Sequence, residues 1–400
     1  MTENKTGAYY QKSSFILKIT RYIVVLIFIV MLISCTLIYR NDITIENIQF
    51  LAKFITLNDG SSHYYNREFQ INTTKNSDVF MLRDNVAIVD KTGIALHELS
   101  GSKLFNYTFS YSTPVAVKDT HNILIHDVEG NELSIFNSFS KVFTQKYPYS
   151  VRSADINNKG FAVITGEKGY RSALIVYNEN FKEYFKWLSE ENYLSSVTLS
   201  PNGKNTAVTT VKADNGSYKS SVRVFDTSKE NPTHVSEEFD ELPIYISYSE
   251  NGKNIYVITD SCIRFYSSSL EEKSSYKFNQ SKIANYHTHD DLILFTEYNN
   301  LLGNSTTITI YKTDGTKISD INVNDSVRDI AFGDDTIYAL GLDCVFRYKY
   351  SNENNGYKED GVIPLDEQYS HILCDSENEC YIASESTVSR VDFNANGKAE

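Results

Sequence analysis

The sequence predicts an all-β protein, a β-propeller of about seven to eight four-stranded blades, preceded by one N-terminal transmembrane helix. Three observations carry this expectation: a strand-favouring composition, a strand-turn-strand unit that recurs from Ser77 onward, and one uncharged apolar run near the start. Tyr, Phe, Val, Ile, Thr and Ser are abundant while Ala and Met are sparse, and β-branched and aromatic side chains suit a pleated surface. A chain of 400 residues accommodates several domains or one repeat-built domain, because repeats stack small sheets instead of enlarging one core.

The apolar run extends over residues 22–39, from Tyr22 to Tyr39, bounded by Arg21 and Arg40 and free of charge. At ~1.5 Å per helical residue it spans most of a ~30 Å hydrocarbon core, which predicts a membrane anchor. Lys12, Lys18 and Arg21 precede it and Asp42 and Glu46 follow Arg40, so the positive-inside bias keeps residues 1–21 cytoplasmic and sends the rest across the membrane. Leu32-Ile33-Ser34-Cys35 also has the form of a lipobox, in which Cys35 would be lipidated after cleavage. The apolar run continues through Thr36 to Tyr39 where a mature lipoprotein turns polar, which favours the uncleaved anchor. Either way, residues 41 onward lie outside the cytoplasm. Residues 40–63 form a juxtamembrane helix and linker, with Ile45, Ile48, Leu51 and Ile55 at near-helical spacing.

The repeat fills residues 64–393, ahead of a short tail over 394–400. Its unit returns roughly every 36 to 49 residues, the period of propeller blades. First strands begin near Asp78, Pro114, Val151, Leu194, Ile244, Ile283, Val327 and Ser370. The clearest unit runs from Val197 through Leu199-Ser-Pro-Asn-Gly-Lys204 to Val211, and the next repeats it from Ile246 through Ser249-Glu-Asn-Gly-Lys253 to Ile258. Gly203 and Gly252 supply the positive φ that a tight hairpin requires. The last unit offers only about three strands, so the isolated strand Tyr64–Ile71 is expected to complete it and close the ring, which removes exposed sheet edges.

These residues carry a resemblance. Gly166–Tyr177, Tyr184–Trp187, Leu199–Lys204, Val211–Gly216 and Val222–Asp226 look like an uncharacterised domain-of-unknown-function family of membrane-anchored, propeller-like proteins from Gram-positive bacteria. The resemblance covers most of the chain and implies the anchor and the propeller; it implies no activity.

Charge narrows the partners. The net charge is -13 overall, and beyond residue 40 the chain carries 33 basic against 50 acidic residues. Such a body has no stripe to neutralise phosphates, which excludes nucleic acid as a partner. There is no phosphate-cradling glycine loop, no Gly-x-Ser-x-Gly elbow and no His-Glu-x-x-His helix, and one Trp cannot furnish the repeated Trp docking of a quinone propeller. No cofactor and no catalytic residue are expected.

Two features have the right chemistry for a site. His287, His289 and Asp290 place two imidazoles on one strand face beside a carboxylate, a divalent-metal half-site, although the repeat assigns them to a polar hairpin turn. Cys374 and Cys380 flank one hairpin turn within disulfide reach, as a bridge or as two free thiols. Cys262 and Cys344 hold equivalent positions in units that are not neighbours, roughly 20 Å apart, and should not bond each other.

The function expected is an extracytoplasmic interaction module that presents its longest loops, residues 212–220, 226–242 and 350–361, to an envelope protein or ligand. The alternatives are an envelope enzyme or small-ligand binder with its site in the channel, and a transmembrane sensor subunit.

Overall fold

The computed structural model describes residues 17–31, 33–34, 68–74, 77–83, 85–278, 285–300, 303–351, 356–375 and 378–393. The chain divides into two compact units, Met1–Ser61 and Ser62–Glu400. In the first, residues 17–31 are helical with exposed side chains. Among the described residues no helix is long and apolar enough to cross a membrane. The expected span continues through residues 35–39, which lie outside the described residues, as do Cys35 and the spaced apolar positions 45 to 55.

The second unit is eight antiparallel sheets of four strands each, one sheet per blade. The first strands are Asp78–Leu82, Pro114–Lys118, Val151–Asn157, Tyr193–Leu199, Pro243–Tyr248, Asn285–His289, Asp329–Phe332 and His371–Cys374. They are the innermost strands, lying side by side around a central channel. Second strands such as Asn254–Thr259 and Thr336–Leu340 are buried at every residue, because a neighbouring blade covers each of their faces. Fourth strands such as Glu272–Lys277 alternate with exposed residues, as a half-solvated rim requires.

Eight hydrophobic clusters hold the ring, each shared by two adjacent blades. Between blades 3 and 4, for example, Ile164 and Val176 meet Leu194, Val208 and Phe225. Apolar burial is thus distributed around the circle at ~25 cal/mol per Å² rather than gathered in one core, and each blade depends on both neighbours.

Closure occurs as the sequence predicts. Glu68–Gln70 joins blade 8 as its outermost strand, pairing Glu68 with Ser389, Phe69 with Val388 and Gln70 with Thr387. Ile71 N–H and Thr73 N–H continue the seam by donating to Ser386 O and Glu385 O at 2.8 and 3.0 Å.

The hairpin turns explain the local fold. In blade 4, Gly203 N–H donates to Ser200 O at 2.8 Å and Asn205 N–H to Ser200 Oγ at 2.9 Å. Blade 5 repeats both bonds with Gly252 and Asn254 on Ser249, at 2.8 and 3.0 Å. With φ of 71° and 67°, Gly203 and Gly252 occupy the left-handed region where a Cβ is penalised.

Strand direction defines two faces. First strands run toward an upper face that carries the first turn of every blade; a lower face carries the second turns and the links between blades. Glu68 begins its strand at the upper end of blade 8, so the chain enters the ring there.

Two of the three segments expected as long loops prove to be largely strand, while residues 226–242 are mostly irregular. Residues 212–220 extend the paired strands Asn205–Asp214 and Ser217–Asp226, whose ladder runs unbroken to Asp214 opposite Ser217. Residues 226–242 contain the short outer strand His234–Val235, and residues 350–361 fall mostly within Cys344–Ser351 and Gly356–Pro364. Polar residues signalled loops, but these hairpins project past their neighbours and both faces are wetted, so polar side chains suit paired strands there.

Candidate functional site

All eight first strands line the channel. A cavity of about 570 Å³ opens at the upper face among blades 2 to 6, lined by Lys118, Asp119, Asp155, Tyr245, Glu250 and Asp290, among others. A second cavity of about 310 Å³ lies against blades 6 to 8, 1 and 2, with His287, Asp329 and Cys374 in its wall. Lys118, Thr288 and His289 belong to both walls and mark where the two meet.

The walls carry buried charge. Asp155 on blade 3 accepts the Leu199 N–H of blade 4 through Oδ2 at 2.8 Å, and Asp329 on blade 7 accepts the Ile372 N–H of blade 8 at 3.0 Å. Burial pushes the Asp155 carboxyl up to about 6 against these stabilising bonds. Lys118 Nζ donates to Met81 O at 2.7 Å and lies 5.5 Å from the centre of the Phe80 ring. No carboxylate among the described residues pairs with it, and burial pulls its ammonium below the usual lysine range. The Lys118 side chain is enclosed by the ring yet still exposed, because the surface it shows faces the channel.

On the other side of the channel, His287, Asp329, His371 and Asp78 follow one another around blades 6, 7, 8 and 1. His287 Nε2 is 3.8 Å from Asp329 Oδ1, and His371 Nδ1 is 3.7 Å from Asp329 Oδ2. Burial lowers the His287 pKa and raises that of Asp78. His287 Nε2 has no hydrogen-bond partner.

His287 and His289 lie on a strand, with the turn beginning only at Asp290, whose φ is 49°. Both rings point toward blade 7 and separate there: His287 meets Asp329, while His289 stacks on Phe332 at 5.1 Å. Asp290 Oδ2 is 3.6 Å from His289 Nε2. Among the described residues, no three His, Cys, Asp or Glu side chains converge to hold a metal ion.

Cys374 and Cys380 are register partners across the last first turn, and both are free thiols. Their neighbours Asp375 and Glu379 share a ladder hydrogen bond, which makes the cysteines a non-hydrogen-bonded pair with Cα atoms ~4.5 Å apart. Cys262 and Cys344 open the third strands of blades 5 and 7, equivalent and not adjacent.

The lower face carries a second feature. Tyr149, Tyr170, Tyr193, Tyr218, Leu242 and Ile244 all lie at the lower ends of blades 3 to 5, each between 36% and 50% exposed. Arg152 and Arg171 lie 5.2 and 5.3 Å from the Tyr193 ring, and Arg171 Nη1 donates to its hydroxyl at 2.9 Å. Asp260 joins the other end of the patch, accepting from Tyr218 OH at 3.4 Å and from Leu242 N–H at 3.1 Å.

Of the channel's lining, the sequence singled out His287, His289, Asp290 and Cys374, whereas Lys118, Asp155, Asp329 and the lower-face patch were not singled out. Lys118, Asp155, Asp329 and His371 are far apart along the chain and unite only through the ring. The available signal was a charged residue within a first strand, visible once the repeats are laid in register.

Eight four-stranded blades around a polar channel define the class: an eight-bladed β-propeller. The chain belongs to a family of unknown function, DUF5711, whose model matches residues 59–393. No curated protein matches it. Among solved structures it is similar to the computationally designed Ika8 protein, with a TM-score of 0.59 and 8% identity over 81% of this chain and 99% of that one. It is also similar to the C-terminal WD40 domain of Sif2, with a TM-score of 0.55 and 10% identity over 81% of this chain and 99% of that one. At such identities the likeness concerns the fold alone.

Proposed function

We propose that this propeller is a non-catalytic protein-interaction module of the cell envelope, tethered to the membrane through residues 22–39 with its propeller on the outer side. The lower-face patch is the observation that supports this reading. Scattered apolar surface residues are ordinary, but here six cluster over three adjacent blades. Four of the six are Tyr, and Arg152 and Arg171 pack on Tyr193, a composition of interface hot spots in which a rigid amphipathic ring buries area at little entropic cost. The chain enters the ring at the upper end of blade 8, opposite this face.

Crosslinking pull-down with mass spectrometry from native membranes tests the proposal. The comparison is between the wild-type chain and a Tyr170→Ser, Tyr193→Ser, Leu242→Ser variant whose fold is checked by circular dichroism. An envelope protein enriched by the wild type and lost with the variant supports the module. The same proteins captured by both would reject this face as the interface.

A further inference from the structure

The channel holds a group that the interaction face does not use. Among the described residues, Lys118 is the one ammonium in the wall of either cavity, it ends the first strand of blade 2, and its hydrogen-bond partner is the Met81 carbonyl. Its exposed surface faces the cavity, no carboxylate among the described residues pairs with it, and two of its three N–H groups remain for something in the cavity. In the adjoining wall, His287 Nε2 has no hydrogen-bond partner and lies 3.8 Å from Asp329 Oδ1. Around the upper mouth the sign reverses. Asp119, Asp155, Glu250 and Asp290 line the same cavity as Lys118. Desolvation, together with repulsion from Asp290 and Asp291, raises the Glu250 carboxyl.

We propose that the channel binds a small zwitterion, with its carboxylate on Lys118 at the junction of the two cavities and an ammonium group among the carboxylates of the upper mouth. The ligand class is that of basic amino acids and short lysine-containing peptides. A cavity of about 570 Å³ falls in the range that encloses molecules of this size. The carboxylate supplies the missing counter-charge at Lys118 and the ammonium relieves repulsion at the rim, so neither end alone satisfies the site. The site opens on the face opposite the aromatic patch and stands independently of a protein partner there.

Isothermal titration calorimetry on the full-length chain tests this with three probes: lysine, cadaverine, which lacks the carboxylate, and hexanoate, which lacks the amines. Lysine is expected to bind at least about tenfold more tightly than either half, a difference of ~1.4 kcal/mol. Lys118→Met keeps the aliphatic stem and is expected to reduce lysine affinity to that of cadaverine, leaving cadaverine unchanged. Glu250→Gln, at the exposed rim, is expected to weaken lysine and cadaverine and to spare hexanoate. No lysine binding by the wild-type chain, equal binding of the three probes, or undiminished lysine binding by a folded Lys118→Met variant would each overturn the proposal.

Discussion

The carboxylate of Asp155 reaches out of blade 3 and takes the backbone N–H of Leu199 in blade 4, at 2.8 Å. One side chain thereby fixes the spacing of two inner strands at the channel wall. Asp155→Ala leaves a buried N–H unsatisfied, for an expected loss of about 1–3 kcal/mol in urea unfolding. Asp155→Asn keeps an acceptor oxygen and should lose less; equal stability of wild type and alanine variant would show that water replaces the carboxylate.

Acidity should read the same residue. Burial raises the Asp155 carboxyl to about 6 from an ordinary 3.8, so between these values the native state binds more protons than the unfolded chain. The associated stability is full below the unfolded value and is lost as pH rises through the folded one. The melting temperature of Asp155→Asn should therefore gain on the wild type as pH increases from about 4 to 6 and run parallel above. A constant difference over that window would place the titration elsewhere.

His126 should act with the opposite sign. It is buried in blade 2, with Nδ1 lacking a partner, and desolvation lowers it to about 4 from 6.5. Its contribution is present above the unfolded value and is lost as pH falls through the folded one. His126→Leu should accordingly flatten the loss of stability on acidification from pH ~6.5 to ~4, measured by thermal melts. An unchanged acid limb would refute this assignment.

Ring closure offers a fourth measurement. Phe69 is buried where blade 8 meets blade 1, in a cluster with Val79, Val86 and Val388, and lies 6.3 Å from the His97 ring. Phe69→Ala is expected to lower unfolding free energy by about 3–5 kcal/mol. Val235→Ala, on the exposed outer strand of blade 4, serves as the control and should change little. A negligible Phe69 effect would mean that the ring stays closed without its clasp.

Thiol chemistry checks the last turn. Burial pushes Cys374 up to about 12 and also raises Cys380 well above the usual thiol range, which leaves almost no reactive thiolate. Iodoacetamide at pH ~8 should modify both slowly in the native chain and fast in urea. A Cys374–Cys380 bridged peptide in non-reducing mapping would reveal an oxidised form with the same register.

Much of this architecture is legible from local chemistry. The Ser200 and Ser249 turns are stated outright by Pro201, Gly203 and Gly252, and strands starting at Asp78, Pro114 and Val151 follow from alternation between such turns. Closure by Phe69 followed from counting strands in the last unit. What escaped had another origin. Lys118 reads in sequence as an ordinary polar strand end, because its importance arises from facing blades about half a ring away. The projecting hairpin around Tyr218 looked like a loop because Asp214, Asn215 and Gly216 mark its tip and nothing marks its paired flanks.

The clasp at Glu68–Gln70 has a mechanical consequence. Its strand runs from the upper to the lower end of blade 8, antiparallel to its neighbour. If a partner grips the lower face while the chain ahead of Glu68 is pulled, tension travels along that strand and loads its rungs together in shear, instead of peeling them one by one. Three paired residues, reinforced by Ile71 and Thr73, would then bear that load.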